Sequence, residues 1–437
     1  MASLSIKNVG PIKEVCFKLN KINVFIGPQS SGKSTIAKII SFCLWLEKDA
    51  LIHQDVNYIH PDFFEKNLMN FHQLQNSFGS DSLVAYKSEI LSFEYGPSTF
   101  HIQTESNFKK GKVGKNAYIP AERNIITLPG IITLPLGETN IKSFLSDWIN
   151  IHSKYNQKNA FTLLNLNAKY YYNEELKQDR ILLDEGKDIS LNEASSGLQS
   201  VVPLFLVVDY LTSWIYKQSN DISVQLKKDI EFTIVKEFIK SLGTFSDLDE
   251  EDLKKIYEDE NMRNTVKASV SNLQHLTEEY KDYFATQEQN SMLRLVDNIT
   301  KPHFSNIIIE EPEQNLFPQT QVDLIKDILK RLNKERDNLV ITTHSPYILY
   351  ALNNCMLGAL VSGRIPDNDT DSLKDKDSWV HPGLVSIWSL KDGTFYQAEA
   401  NVNHTIQDEE GLIRNNYFNE VMQNVMGNFS NLLNYYE

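Results

Sequence analysis

The sequence predicts an α/β fold whose central sheet is mostly parallel. Three short apolar segments, 22–26, 306–309 and 339–342, have the continuous hydrophobic composition of strands that are buried on both faces. The first is followed by a glycine loop and then by a helix, and the second by a helix with Pro318 in its first turn. Strands that alternate with helices indicate a parallel sheet with helices on both faces.

Composition narrows the class of protein. The chain has 437 residues, of which 41% are hydrophobic and 23% are charged, as in an ordinary globular protein. Its net charge of −14 opposes sequence-independent binding of nucleic acid over the whole surface, because phosphate contacts require clustered Lys and Arg, although a local basic patch stays open.

Several features predict a cytoplasmic protein. The cysteines Cys16, Cys43 and Cys355 are odd in number and far apart, which suits reduced thiols. The first residues lack the apolar run of a signal peptide. The most apolar stretch, residues 201–211, is too short to span a bilayer.

We predict three parts along the chain. Residues 1–216 form the N-terminal part of a head domain, with a β-rich elaboration in residues 50–117 and mainly helical structure in residues 136–180. Residues 217–300 are strongly charged and helix-periodic, with an amphipathic run through Val266, Val270, Leu273 and Tyr280, so we expect a helical insertion. Residues 301–437 complete the head and add a hairpin at 384–398 and a last helix.

The strongest motif follows the first buried strand. It matches GxxxxGK[ST], the Walker A pattern, between a strand and a helix, as that pattern requires. The glycines let backbone N–H groups turn toward phosphates, Lys33 is expected to reach the β- and γ-phosphates, and the Ser34 hydroxyl to coordinate Mg²⁺. The predicted ATP-binding residues of this loop are Gly27, Ser30, Ser31, Gly32, Lys33, Ser34 and Thr35.

A second motif ends the strand at residues 306–309. Glu310, Glu311 and Glu313 follow this apolar strand, which places carboxylates at the sheet edge where α/β folds bind ligands. This arrangement has the form of a Walker B motif. Glu310 is predicted to hold Mg²⁺, and Glu311 to act as the catalytic residue that polarises the attacking water.

A third segment begins a helix with serines. In residues 194–199, the signature-like segment, Ser196, Gly197 and Gln199 match LSGGQ, and Leu198 replaces the second glycine. The N–H groups of such a helix start could bind a phosphate, so we predict these three matching residues as nucleotide ligands. A plain helix N-cap explains the segment about as well.

The order of the motifs favours the functional interpretation. After Walker A, signature and Walker B come a D-loop-like stretch, residues 313–316, and His344, which follows a strand and is predicted to contact the γ-phosphate as a catalytic switch. In this order the set resembles ABC-class P-loop ATPases. The resemblance implies an ABC-type ATPase head, and it covers residues 4–48, 118–124, 190–211 and 304–350.

The residues of the motifs are most similar to those of the soluble SMC, RecF and OLD group. Within this group they most resemble the stand-alone ATPase subunits of bacterial antiphage systems of the PARIS or Septu type. Two departures matter. Glu310 stands where many relatives have aspartate, and no Q-loop glutamine is evident. Glu122 or Arg123 could take its place, and a structural ion pair is the alternative.

The resemblance implies that the signature of one subunit completes the ATP site of another, so that a head-to-tail homodimer, or a higher oligomer, hydrolyses ATP with Mg²⁺. The expected role is a slow or effector-stimulated ATPase that controls a separate toxin or nuclease, such as a Toprim-like or HNH nuclease. The aspartates Asp367, Asp369 and Asp371 are expected to be solvated in a loop, so that any nuclease acts in trans.

Two alternatives remain at the level of sequence. A RecF-like or SMC-like DNA-binding ATPase for repair or chromosome maintenance would need a basic surface, for which Lys109, Lys110, Lys112 and Lys115 are the evident cluster, although a solvated hairpin also explains it. A catalytically slow ATPase that serves as an assembly scaffold is the other alternative.

Overall fold

The computed structural model describes residues 2–436 except 132–133, 185, 218–223, 242–249, 262–263, 265–267, 269–286, 367, 397–404 and 415. The strands are β1 (Ser3–Val9), β2 (Ile12–Lys18), β3 (Ile22–Ile26), β4 (Phe78–Lys87), β5 (Leu91–Gly96), β6 (Thr99–Thr104), β7 (Lys115–Ile119), β8 (Phe161–Thr162), β9 (Ala168–Asn173), β10 (Gln178–Leu183), β11 (Asp188–Ser190), β12 (Ser305–Glu310), β13 (Asn338–Thr343), β14 (Val385–Lys391) and β15 (Thr394–Tyr396).

The helices of the described residues are α1 (Lys33–His53), α2 (Pro61–Phe64), α3 (Asn140–Ile151), α4 (Ser196–Thr212), α5 (Val224–Ser241), α6 (Glu250–Glu258), α7 (Gln287–Thr300), α8 (Pro318–Arg331), α9 (Pro346–Val361), α10 (Thr370–Leu373) and α11 (Tyr417–Leu433). The α/β fold class predicted from the sequence is confirmed.

The central sheet has six strands in the order β15-β14-β3-β13-β12-β7. All neighbours pair in parallel except β14 and β15, which form an antiparallel edge hairpin. The hairpin predicted at 384–398 is thus confirmed for its described residues. Its turn residues Asp392 and Gly393 have φ of 52° and 83°, as a tight two-residue turn requires.

Strand β3 lies at the middle of the sheet because both of its faces are apolar. All five of its residues are buried. Val24 and Ile26 belong to a core cluster that includes residues of α4 and α8, whereas Phe25 belongs to a second cluster with α1 and the N-terminal strands. Because successive side chains of a strand point to opposite faces, β3 contributes to two hydrophobic cores, one on each face of the sheet.

Two antiparallel sheets flank this core. The first has the order β2-β1-β4-β5-β6 and includes the β-rich elaboration predicted for residues 50–117, and the second has the order β11-β10-β9-β8. The second sheet shows that the prediction of mainly helical structure in residues 136–180 is wrong beyond α3. Ala168 and Tyr170 of β9 are buried and Lys169 between them is exposed, a short alternation that the helical interpretation missed.

The predicted insertion at 217–300 is described only in part. Helices α5 and α7 pack against each other, and α5 also packs against α1, so the base of the insertion is attached to the helix that follows the glycine loop. The amphipathic run through Val266, Val270, Leu273 and Tyr280 lies outside the described residues.

One helix of the described residues is long and apolar enough to cross a membrane, by length and composition alone. It extends over Ser196–Tyr216, and 67% of its most apolar window is buried inside the protein. Its side chains Leu204, Phe205 and Leu206 belong to the main core cluster. The apolar character of this helix is therefore explained by packing against the sheet.

Aromatic packing on one face of the central sheet generates a prediction about stability. Trp388 of β14 is 1% exposed and stacks on Phe25 at 5.0 Å and on Phe395 at 6.0 Å between ring centroids. Replacing Trp388 by Ala is expected to lower the free energy of unfolding by about 3–5 kcal/mol, because it leaves a large cavity. Urea denaturation followed by circular dichroism measures this change. The exposed Tyr435→Ala is the control, and a loss equally small in both variants would contradict the prediction.

Candidate functional site

Three parallel strands bring the predicted motifs to one edge of the central sheet. Strand β13 lies between β3 and β12, and all three run in the same direction. At their carboxyl ends, β3 leads into the P-loop (residues 27–35), β13 into His344, and β12 into the Walker B turn (residues 310–313). The sheet therefore collects residues that are some 300 positions apart in sequence at the edge where α/β folds bind ligands.

The P-loop depends on backbone conformations that favour glycine. Gly27 and Gly32 have φ of 146° and 103°, and Ser30 has φ of 58°. A Cβ on Gly27 would lie 2.3 Å from the Leu390 carbonyl oxygen, and one on Gly32 would lie 2.7 Å from Cγ1 of Ile12. Both positions therefore exclude a side chain by conformation and by space.

Helix α1 begins directly after this loop without a side-chain cap. Gly32 is its N-cap residue and offers no acceptor to the first N–H groups. Ser34 is exposed in the first turn, whereas Ser31 and Thr35 are buried. The uncapped N–H groups and the positive end of the helix dipole are suited to an anion such as a phosphate.

The ammonium group of Lys33 lies inside the loop. It donates hydrogen bonds to the carbonyl oxygens of Gly27 at 3.0 Å and Pro28 at 2.7 Å, and the side chain is 5% exposed. Burial lowers the pKa of Lys33 to about 8, although Glu311 and Glu313 oppose the shift. A phosphate in the loop would place a further anion beside this ammonium group and stabilise its charged form.

Glu310 ends β12 as a buried carboxylate. Its side chain is 5% exposed, and its Oε1 atom has no hydrogen-bond partner. Burial raises the pKa of this carboxyl, and the nearby hydroxyls of Ser34 and Tyr118 partly offset the shift. An unpartnered carboxylate oxygen close to the Ser34 hydroxyl fits a small hard cation with water ligands, because Mg²⁺ takes few ligands from the protein.

That cation would not have a cage of protein ligands. In the part of the chain that the structure describes, no group of three or more His, Cys, Asp or Glu side chains has the arrangement of a metal site. The predicted pair of Ser34 and Glu310 is consistent with a cation that is held mainly by water and by a bound phosphate.

Glu311 and His344, the predicted catalytic pair, are in contact. Nε2 of His344 lies 3.5 Å from Oε1 of Glu311. Contact with His344 is the largest cause that lowers the pKa of the Glu311 carboxyl; burial opposes it, and Lys33 and Arg123 add to the lowering. Glu311 has φ of 42°, and its N–H donates to the Thr342 carbonyl at 2.9 Å. The turn therefore presents an ionised carboxylate at the sheet edge.

Glu313 has a positioning role that sequence reasoning missed. Its Oε1 atom accepts a hydrogen bond from the backbone N–H of His344 at 2.6 Å, while its Oε2 atom has no partner. Burial raises the pKa of this carboxyl. The sequence placed Glu313 among the carboxylates after the strand and at the start of the D-loop-like stretch but gave it no role, since a contact between the ends of two strands has no signal in the sequence.

Arg123 is a buried clamp on the Walker B turn. The side chain is 0% exposed, and burial lowers its pKa to about 10, although nearby carboxylates oppose the shift. The guanidinium donates to five backbone carbonyl oxygens, at distances of 2.9–3.3 Å: those of Pro120, Ser200, Glu310, Glu311 and Pro312. These hydrogen bonds go to carbonyl groups and not to a carboxylate, unlike the structural ion pair given as the alternative. The replacement of a Q-loop residue by Glu122 or Arg123 stays a prediction.

The signature-like segment begins α4, as expected of a serine-capped helix start. Ser195 is the N-cap and accepts from the Leu198 N–H at 3.4 Å. Ser196 is exposed, whereas the Gln199 amide donates to the Asn192 and Ala194 carbonyl oxygens. The Gln199 side chain is therefore bound to its own loop.

The D-loop-like turn packs on this helix in the same chain. Asn315 donates to the Ser200 hydroxyl at 3.0 Å, and a Cβ on Gly197 would lie 3.0 Å from the Asn315 carbonyl oxygen. Among the hydrogen bonds of the described residues, none links residues 194–199 to the P-loop. Glu311, His344 and the P-loop share one edge, and the signature-like segment is connected to it through Arg123 and Asn315.

The lysine cluster does not form the predicted hairpin. Lys109 and Lys110 lie in a 3₁₀ turn, and Lys115 opens β7, where it binds Asp147 at 2.6 Å. Lys109 lies 3.8 Å from Glu237. Part of this positive charge is therefore neutralised within the chain, which leaves a poor basic surface for DNA.

The predicted acidic loop is described in part. Asp367 lies outside the described residues, and Asp369 and Asp371 are exposed at the start of α10. Their exposure agrees with the expectation of solvated aspartates.

Comparison with known proteins gives a family match over part of the chain and similarities to solved structures at low identity. Residues 298–349, which extend from α7 through the Walker B turn to His344 and α9, match the model of a family described as an AAA ATPase domain. No curated protein matches this sequence.

Among solved structures, the chain is similar to the SMC head domain from Thermotoga maritima, with 12% identity over 80% of this chain and 90% of that one, and a TM-score of 0.33. The recombination mediator protein RecF shows 12% identity over 90% and 96%, with a TM-score of 0.26. A dimeric ATP-binding cassette bound to ADP and phosphate shows 11% identity over 90% and 96%, with a TM-score of 0.24.

The Arg123 clamp generates a prediction about the integrity of the site. Replacing Arg123 by Met keeps a long side chain but leaves buried carbonyl oxygens without donors, so the free energy of unfolding should fall by at least about 3 kcal/mol. Chemical denaturation measures this change. The exposed neighbour in Glu122→Gln is the matched control and should remain close to the native stability. An Arg123→Met protein as stable as the control would show that the clamp does not hold the turn.

Proposed function

We propose that this protein is an ABC-class P-loop ATPase that binds and hydrolyses ATP with Mg²⁺ at a site shared by two copies of the chain. The observation that carries the proposal is the convergence of Lys33, Glu310, Glu311 and His344 at one edge of the central sheet. A family match to an ATPase domain over residues 298–349 supports the same activity.

The P-loop is the phosphate-binding element of this proposal. Its backbone N–H groups and the uncapped start of α1 bind the phosphates, and Lys33 turns from the Gly27 and Pro28 carbonyls to the β- and γ-phosphates. The Ser34 hydroxyl and the free Oε1 atom of Glu310 hold Mg²⁺ directly or through water. When bound, Mg²⁺ neutralises charge on the β- and γ-phosphate oxygens.

Glu311 is the proposed residue that acts on the attacking water. Its lowered pKa keeps the carboxylate ionised, so that it can accept a hydrogen bond from water and orient a lone pair toward the γ-phosphate. His344 holds this carboxylate from the next strand and can donate to a γ-phosphate oxygen from the same position. Glu313 fixes the backbone of His344 through its N–H.

The second copy contributes the signature-like segment. Ser196 and Gly197 begin α4, where an exposed hydroxyl and free N–H groups can bind the γ-phosphate held by the partner's P-loop. The Gln199 amide is already bound to carbonyls of its own chain, so its proposed contribution is to shape the loop. Closure of this interface depends on the γ-phosphate, which makes the pair of heads a nucleotide-dependent switch.

We further propose a cellular role as a sensor or regulatory ATPase in bacterial antiphage defence, in the cytoplasm. The residues of the motifs are similar to those of stand-alone ATPase subunits of the PARIS or Septu type, and this similarity supports the role. The switch would control a separate effector, such as a Toprim-like or HNH nuclease or a toxin. The partly neutralised lysine cluster disfavours the alternative of a DNA-binding repair ATPase.

The role of Glu311 is tested by substitution with Gln. Glu311→Gln keeps the shape of the side chain but removes the acceptor charge, so turnover should fall by about 10²–10⁴-fold while ATP binding persists. Phosphate release and binding of a fluorescent ATP analogue measure the two effects. The exposed Glu335→Gln should turn over at the native rate. Equal rates for both variants would remove Glu311 from catalysis and favour a scaffold.

The same pair of variants tests the cellular role. In cells that express this protein together with a candidate effector nuclease or toxin, the native protein and Glu335→Gln should lower phage plating, and Glu311→Gln should not. Protection that survives in Glu311→Gln would separate defence from hydrolysis. Tight, steeply salt-dependent binding of plain duplex DNA would instead favour the repair role.

The shared site is tested by mixing two inactive variants. Lys33→Ala removes the phosphate contact, and Ser196→Arg places a bulky charge at the exposed start of α4. A heterodimer of the two has one site with both native parts, so an equal mixture should recover about one quarter of the native turnover if subunits exchange freely. A mixture that stays inactive after exchange, or a Ser196→Arg protein that is active alone, would contradict the shared site.

A further inference from the structure

Among the described residues, the contacts that hold helix α11 to the rest of the protein come from its first turn. Asn416 caps it by accepting from the Phe418 N–H at 2.9 Å, and Phe418 packs against the main core cluster. Tyr350 of α9 donates to the Asn419 side chain, and Tyr396 donates to Glu420 at 3.2 Å. From residue 420 to residue 436, every described residue is exposed.

The exposed part of α11 is amphipathic and uncharged. At 3.6 residues per turn, its large apolar side chains fall within an arc of about 140°, opposite Gln423 and Asn431. Residues 421–436 contain no Asp, Glu, Lys or Arg. The α11 stripe consists of Val421, Met422, Val425, Met426, Phe429, Leu432 and Leu433, which are 42–70% exposed.

A second apolar face lies on α9, close to the start of α11. Tyr347, Tyr350, Leu357 and Leu360 are 37–45% exposed. Their spacing of three, seven and three residues places them on one side of the helix. The hydrogen bond between Tyr350 and Asn419 joins this α9 face to the base of the α11 stripe.

We propose that the α11 stripe and the α9 face are the interface with a second copy of this chain, in a dimer that forms without nucleotide. This dimer is distinct from the nucleotide-dependent contact between P-loop and signature-like segment. It goes beyond the proposed function and does not depend on it.

The area of the surface is adequate for a stable pair. Seven side chains of the stripe, each about half exposed, together offer on the order of 600 Å² of apolar surface. A standard interface takes about 800 Å² from each partner, and the α9 face supplies the remainder. Contiguous apolar patches of this size on a protein surface mark interaction sites.

The side chains of α11 favour a second copy of this chain over a membrane surface as the partner of the α11 stripe. An interfacial membrane helix carries Lys and Arg on its polar face, whereas the polar face here consists of Asn, Gln, Ser and Gly after Glu420. The net charge of −14 opposes self-association through the rest of the surface. The α11 stripe carries no charge, so two stripes can meet in a two-fold contact without repulsion. An arc wider than a coiled-coil seam suits packing against both α9 and α11 of the partner.

Light scattering after size-exclusion chromatography tests the proposal on the full chain without nucleotide. The native protein and Lys33→Ala, which weakens nucleotide binding, should both have twice the 50.2 kDa mass of one chain. The double variant Val425→Asp with Phe429→Asp places two charges at the centre of the stripe and should be monomeric. Gln423→Asp with Asn431→Asp adds the same charge to the opposite face and should remain dimeric.

Far-ultraviolet circular dichroism of the monomeric variant should match that of the control, because all four positions are exposed and the substitutions leave the fold of each chain intact. A native protein that is monomeric at micromolar concentration, or a stripe variant that remains dimeric, would overturn the proposal. Sedimentation of a monomeric native protein with anionic lipid vesicles would assign the stripe to a membrane. ATP-dependent pairing of Glu311→Gln, measured in the stripe-variant background, reports on the proposed function independently.

Discussion

The buried guanidinium of Arg123 is the interaction on which the geometry of the candidate site depends. It binds carbonyl groups of Pro120 after β7, of the Walker B turn and of Ser200 near the start of α4. A planar group with five donors can hold several backbone segments at fixed angles, which an ammonium group cannot do. The backbone of Glu311 and helix α4 therefore share one support, so a displacement of α4 would also shift Glu311.

Charge around this support is arranged for a phosphate. Lys33 is buried against carbonyl groups with a lowered pKa, and one oxygen of Glu310 and one of Glu313 have no hydrogen-bond partner. Such groups destabilise the free protein, because buried polar atoms without partners are unfavourable. A bound nucleotide with its cation would satisfy several of them together, so the structure favours binding at the expense of stability, as functional sites often do.

The two proposed contacts between copies differ in chemistry. The contact at the nucleotide is polar and needs a γ-phosphate, which makes it reversible by hydrolysis. The contact through α11 is apolar and has no charge to regulate it. A pair of chains held by α11 would keep the partner's signature-like segment at high effective concentration, so that nucleotide binding changes the arrangement of an existing assembly.

The sequence by itself determined the central β3–loop–α1 unit, the strands β12 and β13 and the two carboxylates after β12, because each of these is a local pattern of apolar runs, glycines and charges. Local patterns also located α4, the β14–β15 hairpin and α11. The short strands β9 and β10 were missed, because a helical and a strand-like spacing of apolar residues are hard to distinguish over six residues.

Tertiary structure alone decided which distant groups meet. The acceptors of Arg123 and the contact from Glu313 to the His344 N–H connect residues that no spacing rule relates. Exposure of the α11 stripe was likewise outside the reach of sequence, because an amphipathic helix has the same pattern whether its own core or a partner covers it. Burial and partner choice are properties of the packed chain, whereas periodicity is a property of the chain alone.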